Sequence, residues 1–123
     1  MIIFKDKKRK MPKQIINHRR ALEIIATNPE RFGVEHVVSA SIEQTLYHNG
    51  RGILAQPDVV FETSKNEIVI IEYKSSSEHE ERAAKQLKNA VWWFGAYRQD
   101  ILPDNIRTLI IMGTDPKYEG LLK

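Results

Sequence analysis

Residues 57–74 read PDVVFETSKNEIVIIEYK, and the two halves of this stretch decide the fold between them. Glu67 to Lys74 is apolar at both alternating positions until its last three residues, Glu72, Tyr73 and Lys74. A strand of that kind is covered on two sides. Ser64-Lys65-Asn66 reads as a turn, and Asp58 to Thr63 as the partner strand, opened by Pro57, which cannot donate to a ladder and therefore suits a strand start. With the turn centred between Lys65 and Asn66, opposing residue numbers sum to about 131. Asp58 then faces the neighbourhood of Tyr73, and Glu72 faces Val59. Two carboxylates meet at one end of the sheet. Because side chains alternate along a strand, Glu72 and Lys74 share a face and Tyr73 takes the other.

Downstream of this hairpin, Ser77 with Glu80 forms a capping box. Ala83, Ala84, Leu87, Ala90, Val91 and Phe94 follow as the buried stripe of a long helix running to about Tyr97. Asp100 to Asn105 is a connection containing Pro103, and Arg107 to Gly113 a last buried strand. Upstream, Pro12 opens a helix whose apolar positions are Ile15, Ile16, Leu22, Ile24 and Ile25, stopped by Asn28 and Pro29. Val34, Val37, Val38, Ser41, Ile42, Thr45 and Leu46 then recur at helical spacing ahead of Asn49-Gly50, which predicts a second helix over 34–48. Gly52 to Gln56 reads as a short extended segment. The expected fold is α/β, a small mixed sheet flanked by helices.

A chain of 123 residues is about one domain. Its 41% hydrophobic and 28% charged content suits a packed core. No apolar run approaches the roughly 18 residues of a membrane span, and MIIF followed by KDKKRK lacks a signal-peptide apolar region, so an intracellular, cytoplasmic location without membrane attachment is expected. With no cysteine, disulfides, thiolate metal sites and cysteine nucleophiles are excluded. Charge is unevenly placed. Residues 1–20 hold eight basic side chains against Asp6, a local excess of +7, while the other 103 residues carry −4. Residues 1–13 are read as a basic arm and 14–123 as a single domain with its core over 34–113. Lys7, Lys8, Arg9, Lys10, Arg19 and Arg20 are candidate phosphate contacts, the competing reading being a solvated tail.

Asp58, Glu72 and Lys74 form a carboxylate pair with an ammonium at the end of an otherwise apolar strand. Burying such charges is costly unless they are compensated, and a hard divalent cation with oxygen ligands is an effective compensator. Asp58, Glu72 and the Tyr73 backbone carbonyl would supply oxygens to Mg²⁺ or Mn²⁺, leaving the remaining positions to water and a phosphodiester. Lys74 would orient or help deprotonate the attacking water, a role that suits lysine better than arginine. The competing reading of the three charges is an ion pair finishing a strand. The four histidines show no spacing suggestive of a zinc site and are read as surface residues. Trp92 and Trp93 straddle the helix stripe, so that one packs inward and the other is left outside; neither is assigned to a site. No Gly-rich phosphate loop and no G-x-S-x-G elbow is present, so no nucleotide cofactor is expected.

Pro57-Asp58, then 13 residues, then Glu72-Tyr73-Lys74 resembles the PD-(D/E)XK signature of the restriction-endonuclease-like nuclease superfamily. That family's αβββαβ core matches the element order expected over 34–113, with the signature on the second and third strands. The resemblance implies a Mg²⁺- or Mn²⁺-dependent DNA nuclease with Asp58 and Glu72 as metal ligands and Lys74 as water activator. It further implies an acid on the first core helix as an additional ligand, Glu35 or, failing that, Glu43. Gln86 resembles the glutamine of the RecB-like branch, although Ala90 stands where that branch has a tyrosine. Small size and layout are similar to those of the archaeal and viral Holliday junction resolvases, which implies a homodimer and recognition of DNA shape or ends over base sequence. The alternative on the same fold is a nucleic-acid-binding module without catalysis. Endonuclease and exonuclease action are equally compatible with these residues.

Overall fold

The computed structural model describes residues 3–5, 13–75 and 80–122. In chain order they form β1 (Ile3–Lys5), α1 (Lys13–Thr27), β2 (Val37–Ile42), β3 (Leu46–Tyr47), β4 (Ile53–Ala55), β5 (Val59–Thr63), β6 (Ile68–Lys74), α2 (Glu80–Tyr97), β7 (Ile106–Met112) and α3 (Pro116–Glu119). Lys7 to Lys10 of the expected arm and Ser77 of the expected capping box lie outside the described residues.

Five strands make one mixed sheet in the order β1-β2-β5-β6-β7, and β3 with β4 makes a separate two-stranded hairpin. β2 with β5 and β5 with β6 pair antiparallel, whereas β1 with β2 and β6 with β7 pair parallel. A parallel neighbour needs a crossover connection, and α2 supplies it between β6 and β7. The even apolarity of β6 follows from its position. Val69 and Ile71 join Val59, Phe61, Ile111, Leu22 and Ile25 on the α1 side, while Ile68 and Ile70 join Val60, Leu87, Ala90 and Phe94 on the α2 side. The result is an α/β sandwich with a helix on each face of the sheet. Its order α1-β2-β5-β6-α2-β7 is the expected αβββαβ, with the β3–β4 hairpin inserted between the first two of these strands.

The structure places that first helix differently. Residues 34–48 are not helical; they hold β2 and β3. The apolar spacing of three and four at Val34, Val37, Val38, Ser41 and Ile42 suggests a helix, but four of these five positions are valine or isoleucine, which pack well on a pleated surface. The inward residues are Ala40 and Ile42, two apart as a strand requires. The helix of the core is α1, which ends at Thr27 as the Asn28-Pro29 stop suggests, with Asn28 Nδ2 donating to the Ile24 carbonyl at 2.9 Å. The core therefore starts well before residue 34, and Ile3–Lys5 adds an edge strand in register with Ser39 to Ser41. Among the described residues no helix is long and apolar enough to cross a membrane.

Candidate active site at the open end of the central hairpin

The β5–β6 turn fixes what meets at the hairpin's other end. Asn66 N–H donates to the Thr63 carbonyl at 3.1 Å and Asn66 has a φ of 61°, a tight turn closed by a left-handed residue that asparagine adopts with little strain. The turn is centred on Lys65, half a residue earlier than expected, which shifts the pairing by one. Val59 lies opposite Ile71 and Glu62 opposite Ile68, which brings Asp58 level with Glu72. The contact is reciprocal. Asp58 N–H donates to Glu72 Oε1 at 3.1 Å, and Tyr73 N–H donates to Asp58 Oδ2 at 2.7 Å. Glu72 is only 5% exposed. Burial above all, reinforced by the like charge of Asp58, pushes its carboxyl up to about 8, while the Asp58 N–H and the Lys74 ammonium pull it back. Lys74 stands two residues further along the same face, half-buried.

α1 brings a fourth group that sequence reasoning misses. His18 Nε2 lies 3.5 Å from Asp58 Oδ1, and its ring tilts against Tyr73 with centroids 5.5 Å apart. The contact with Asp58 raises the imidazole above its usual value, Glu43 adds to this, and burial and Lys74 oppose it. A signal was available in the helix periodicity: His18, Leu22 and Ile25 are four and three apart, so His18 belongs to the stripe that faces the sheet. Tyr73 is seated by Gly113, whose N–H donates to the Lys74 carbonyl at 2.7 Å and whose Cα leaves room for the phenol; a Cβ there would come within 2.7 Å of the Tyr73 hydroxyl.

The other expected residues divide. Gln86 reaches the site indirectly: its Oε1 accepts from Gln56 N–H at 3.1 Å, two residues before Asp58, and Gln56 Nε2 in turn donates to the Glu43 carbonyl and Thr45 Oγ1, each at 3.2 Å. Glu43 N–H donates to the Asp58 carbonyl at 2.9 Å, but its carboxylate is drawn to Arg19 Nη1 at 2.9 Å. Glu35 is on no helix and not at the site. It sits just before β2, whose Val37 pairs with Thr63 at the far end of β5, and its side chain is 77% exposed beside His36. Of the expected phosphate contacts within the described residues, Arg20 faces outward with Glu23 3.5 Å away, whereas Arg19 is turned in by Glu43 and is 13% exposed.

The donor set is oxygen-rich, a buried carboxyl held against a second carboxylate, which fits a hard cation such as Mg²⁺ or Mn²⁺ better than a soft one. Among the described residues no set of three His, Cys, Asp or Glu side chains stands in metal-holding geometry. A cation here would take Asp58 and Glu72 and complete its shell from backbone and solvent oxygens.

No protein-family model and no curated protein matches this chain. Two solved structures are similar to it. One is the structure of an EndoMS–dsDNA2 complex, 21% identical, with a TM-score of 0.49, over 95% of this chain and 44% of that one. The other is the crystal structure of a repair endonuclease from Pyrococcus abyssi, 13% identical, with a TM-score of 0.45, over 94% of this chain and 45% of that one. The chain spans less than half the length of either.

Proposed function

We infer that the protein is a metal-dependent DNA nuclease that hydrolyses phosphodiester bonds at the Asp58–Glu72 end of its sheet, directed by DNA structure or ends. The observation that carries this reading is the buried carboxyl of Glu72 accepting from Asp58 N–H while the Asp58 carboxylate accepts from Tyr73 N–H, with Lys74 alongside, at the open end of an αβββαβ sandwich. A carboxyl pushed to about 8 by its surroundings is poorly placed for stability alone. It is well placed to exchange its proton for a cation, the proton leaving to solvent.

Asp58 and Glu72 would hold Mg²⁺ or Mn²⁺, with the Tyr73 carbonyl as a further oxygen. When bound, such a cation supplies positive charge for the phosphodiester's developing negative charge and acidifies an attacking water. The Tyr73 N–H holds Asp58 Oδ2, which sets the direction of its carboxylate. His18 steadies the other Asp58 oxygen from the α1 side. Lys74 offers an amine on the Glu72 face, where it can orient the water and accept or return its proton. Gln86 keeps the Pro57-Asp58 corner in place through Gln56.

The test is incubation of purified protein with branched, duplex and single-stranded DNA and Mg²⁺. Cleavage that disappears with chelator and in Asp58→Asn is the expected result. DNA left whole by the wild-type protein under all these conditions, yet bound, would support the non-catalytic binding module instead.

A further inference from the structure

The β3–β4 hairpin packs against α2, and His48, just after β3, joins the aromatic cluster of the helix. Trp93 Nε1 donates to the Tyr47 carbonyl at 2.9 Å. His48 lies flat against Trp92, ring centroids 5.2 Å apart and planes within 6°, and Tyr97 meets both tryptophans. Trp92 is nonetheless 51% exposed and Tyr47 60%. Exposed aromatic rings grouped in this way offer a surface for a partner.

The charge around it is mostly positive. Thr45 to Gln56 contains Arg51 and no acid, and α2 beyond Glu81 contains Arg82, Lys85 and Lys88 and no acid, with Arg98 just past its end. Arg98 is taken up by Glu62 and Asp100 at 2.8 and 3.0 Å. Lys85, Lys88 and Trp92, three and four residues apart, lie along one outward face of the helix. A second copy of this chain docked here would bring like charges together, whereas a nucleic-acid strand supplies phosphates to the lysines and base faces to the rings. In a duplex those faces are already stacked, so an open indole selects an unpaired strand. The location is also suitable: Gln86 touches Gln56 next to the Pro57-Asp58 corner, and Trp92 is six residues further along α2, a rise of about 9 Å along the helix axis.

We propose that Tyr47, His48, Arg51, Lys85, Lys88 and Trp92 form a binding face for single-stranded DNA that leads an unpaired strand to Asp58 and Glu72. The delivery step rests on the nuclease reading; the binding does not. The experiment is fluorescence polarisation of the full chain with labelled oligothymidylate and with duplex of equal length, in chelator so that nothing is cut. Trp92→Ala is expected to weaken single-strand binding about tenfold while duplex affinity changes by less than about twofold, and Trp92→Phe to recover most of the loss. Lys85→Glu with Lys88→Glu is expected to weaken single-strand binding and flatten its salt dependence. Unchanged single-strand affinity in Trp92→Ala, or an equal loss for single strand and duplex, overturns the proposal. So does a dimer that dissociates in Trp92→Ala with DNA affinity unaltered, which would assign the face to self-association. Trp92-dependent binding by a protein that cuts nothing upholds this proposal and sinks the nuclease reading; cutting without Trp92 dependence does the reverse.

Discussion

Glu72→Gln separates the cost of the site from its use. Glutamine keeps the size of the side chain, can still accept from Asp58 N–H through Oε1, and offers Asp58 a donor where wild type presents a second carboxyl. In the metal-free protein the Glu72 carboxyl titrates near 8, against 4.5 in the unfolded chain. A carboxyl raised on folding binds its proton more tightly in the native state, so stability is lost as pH rises from the unfolded value and levels off only above the folded one. Between pH 6 and pH 9 this amounts to about 2 to 3 kcal/mol. Wild type should lose that stability relative to Glu72→Gln, and the variant should become the more stable protein at the alkaline end. Urea melts of both proteins in chelator, at several pH values, read the difference for Glu72 with the neighbours it is coupled to; contributions from groups remote from it cancel. Excess Mg²⁺ at pH 8 should then stabilise wild type and leave the variant nearly unmoved. A wild-type-to-variant difference independent of pH would refute the reasoning, because it would mean that Glu72 is solvated and already ionised.

Gly113→Ala places a methyl 2.7 Å from the Tyr73 hydroxyl and should cost about 1 to 3 kcal/mol; the double variant with Tyr73→Phe should regain most of it in thermal melts, and no regain would show that the clash is elsewhere. His18→Ala should reduce DNA cleavage about tenfold or more. Because Asp58 raises the His18 imidazole, the stability lost in His18→Ala should be larger at pH 5.5 than at pH 8.5 in urea melts, the favourable pairing being fully present below about 6.5. Gln86→Ala leaves Gln56 N–H without its partner and should cost about 1 kcal/mol together with a fall in activity; activity unchanged by this variant would show that the Pro57-Asp58 corner holds its place alone.

How much of this was legible without coordinates depends on how local the cause is. The β5–β6 hairpin was legible because its strands, its turn and its terminal charges lie within 18 consecutive residues, and only the left-handed Asn66 moved the register by one. α2 was legible because Ala83, Leu87, Ala90 and Phe94 repeat over several turns. β2 was not. Its apolar spacing imitates a helix over a short run, and what makes it a strand is pairing with Phe61 and Val60, which are distant in sequence. The error carried Glu35 with it, since an acid on a supposed first helix is in fact on the loop before an inner strand at the wrong end of the sheet. His18 approaches Asp58 only because α1 packs across the sheet, a contact spanning 40 residues. Arg19, counted as a basic surface residue, is turned inward by Glu43 for the same long-range reason.

The most direct test of the central claim is a crystal of the protein soaked in Mn²⁺ and examined by anomalous diffraction. The account predicts an ion liganded by carboxylate oxygens of both Asp58 and Glu72, lost when either is replaced by its amide. No anomalous peak beside Asp58 and Glu72 in saturating Mn²⁺, with both carboxyl groups still on their backbone N–H partners, would contradict it.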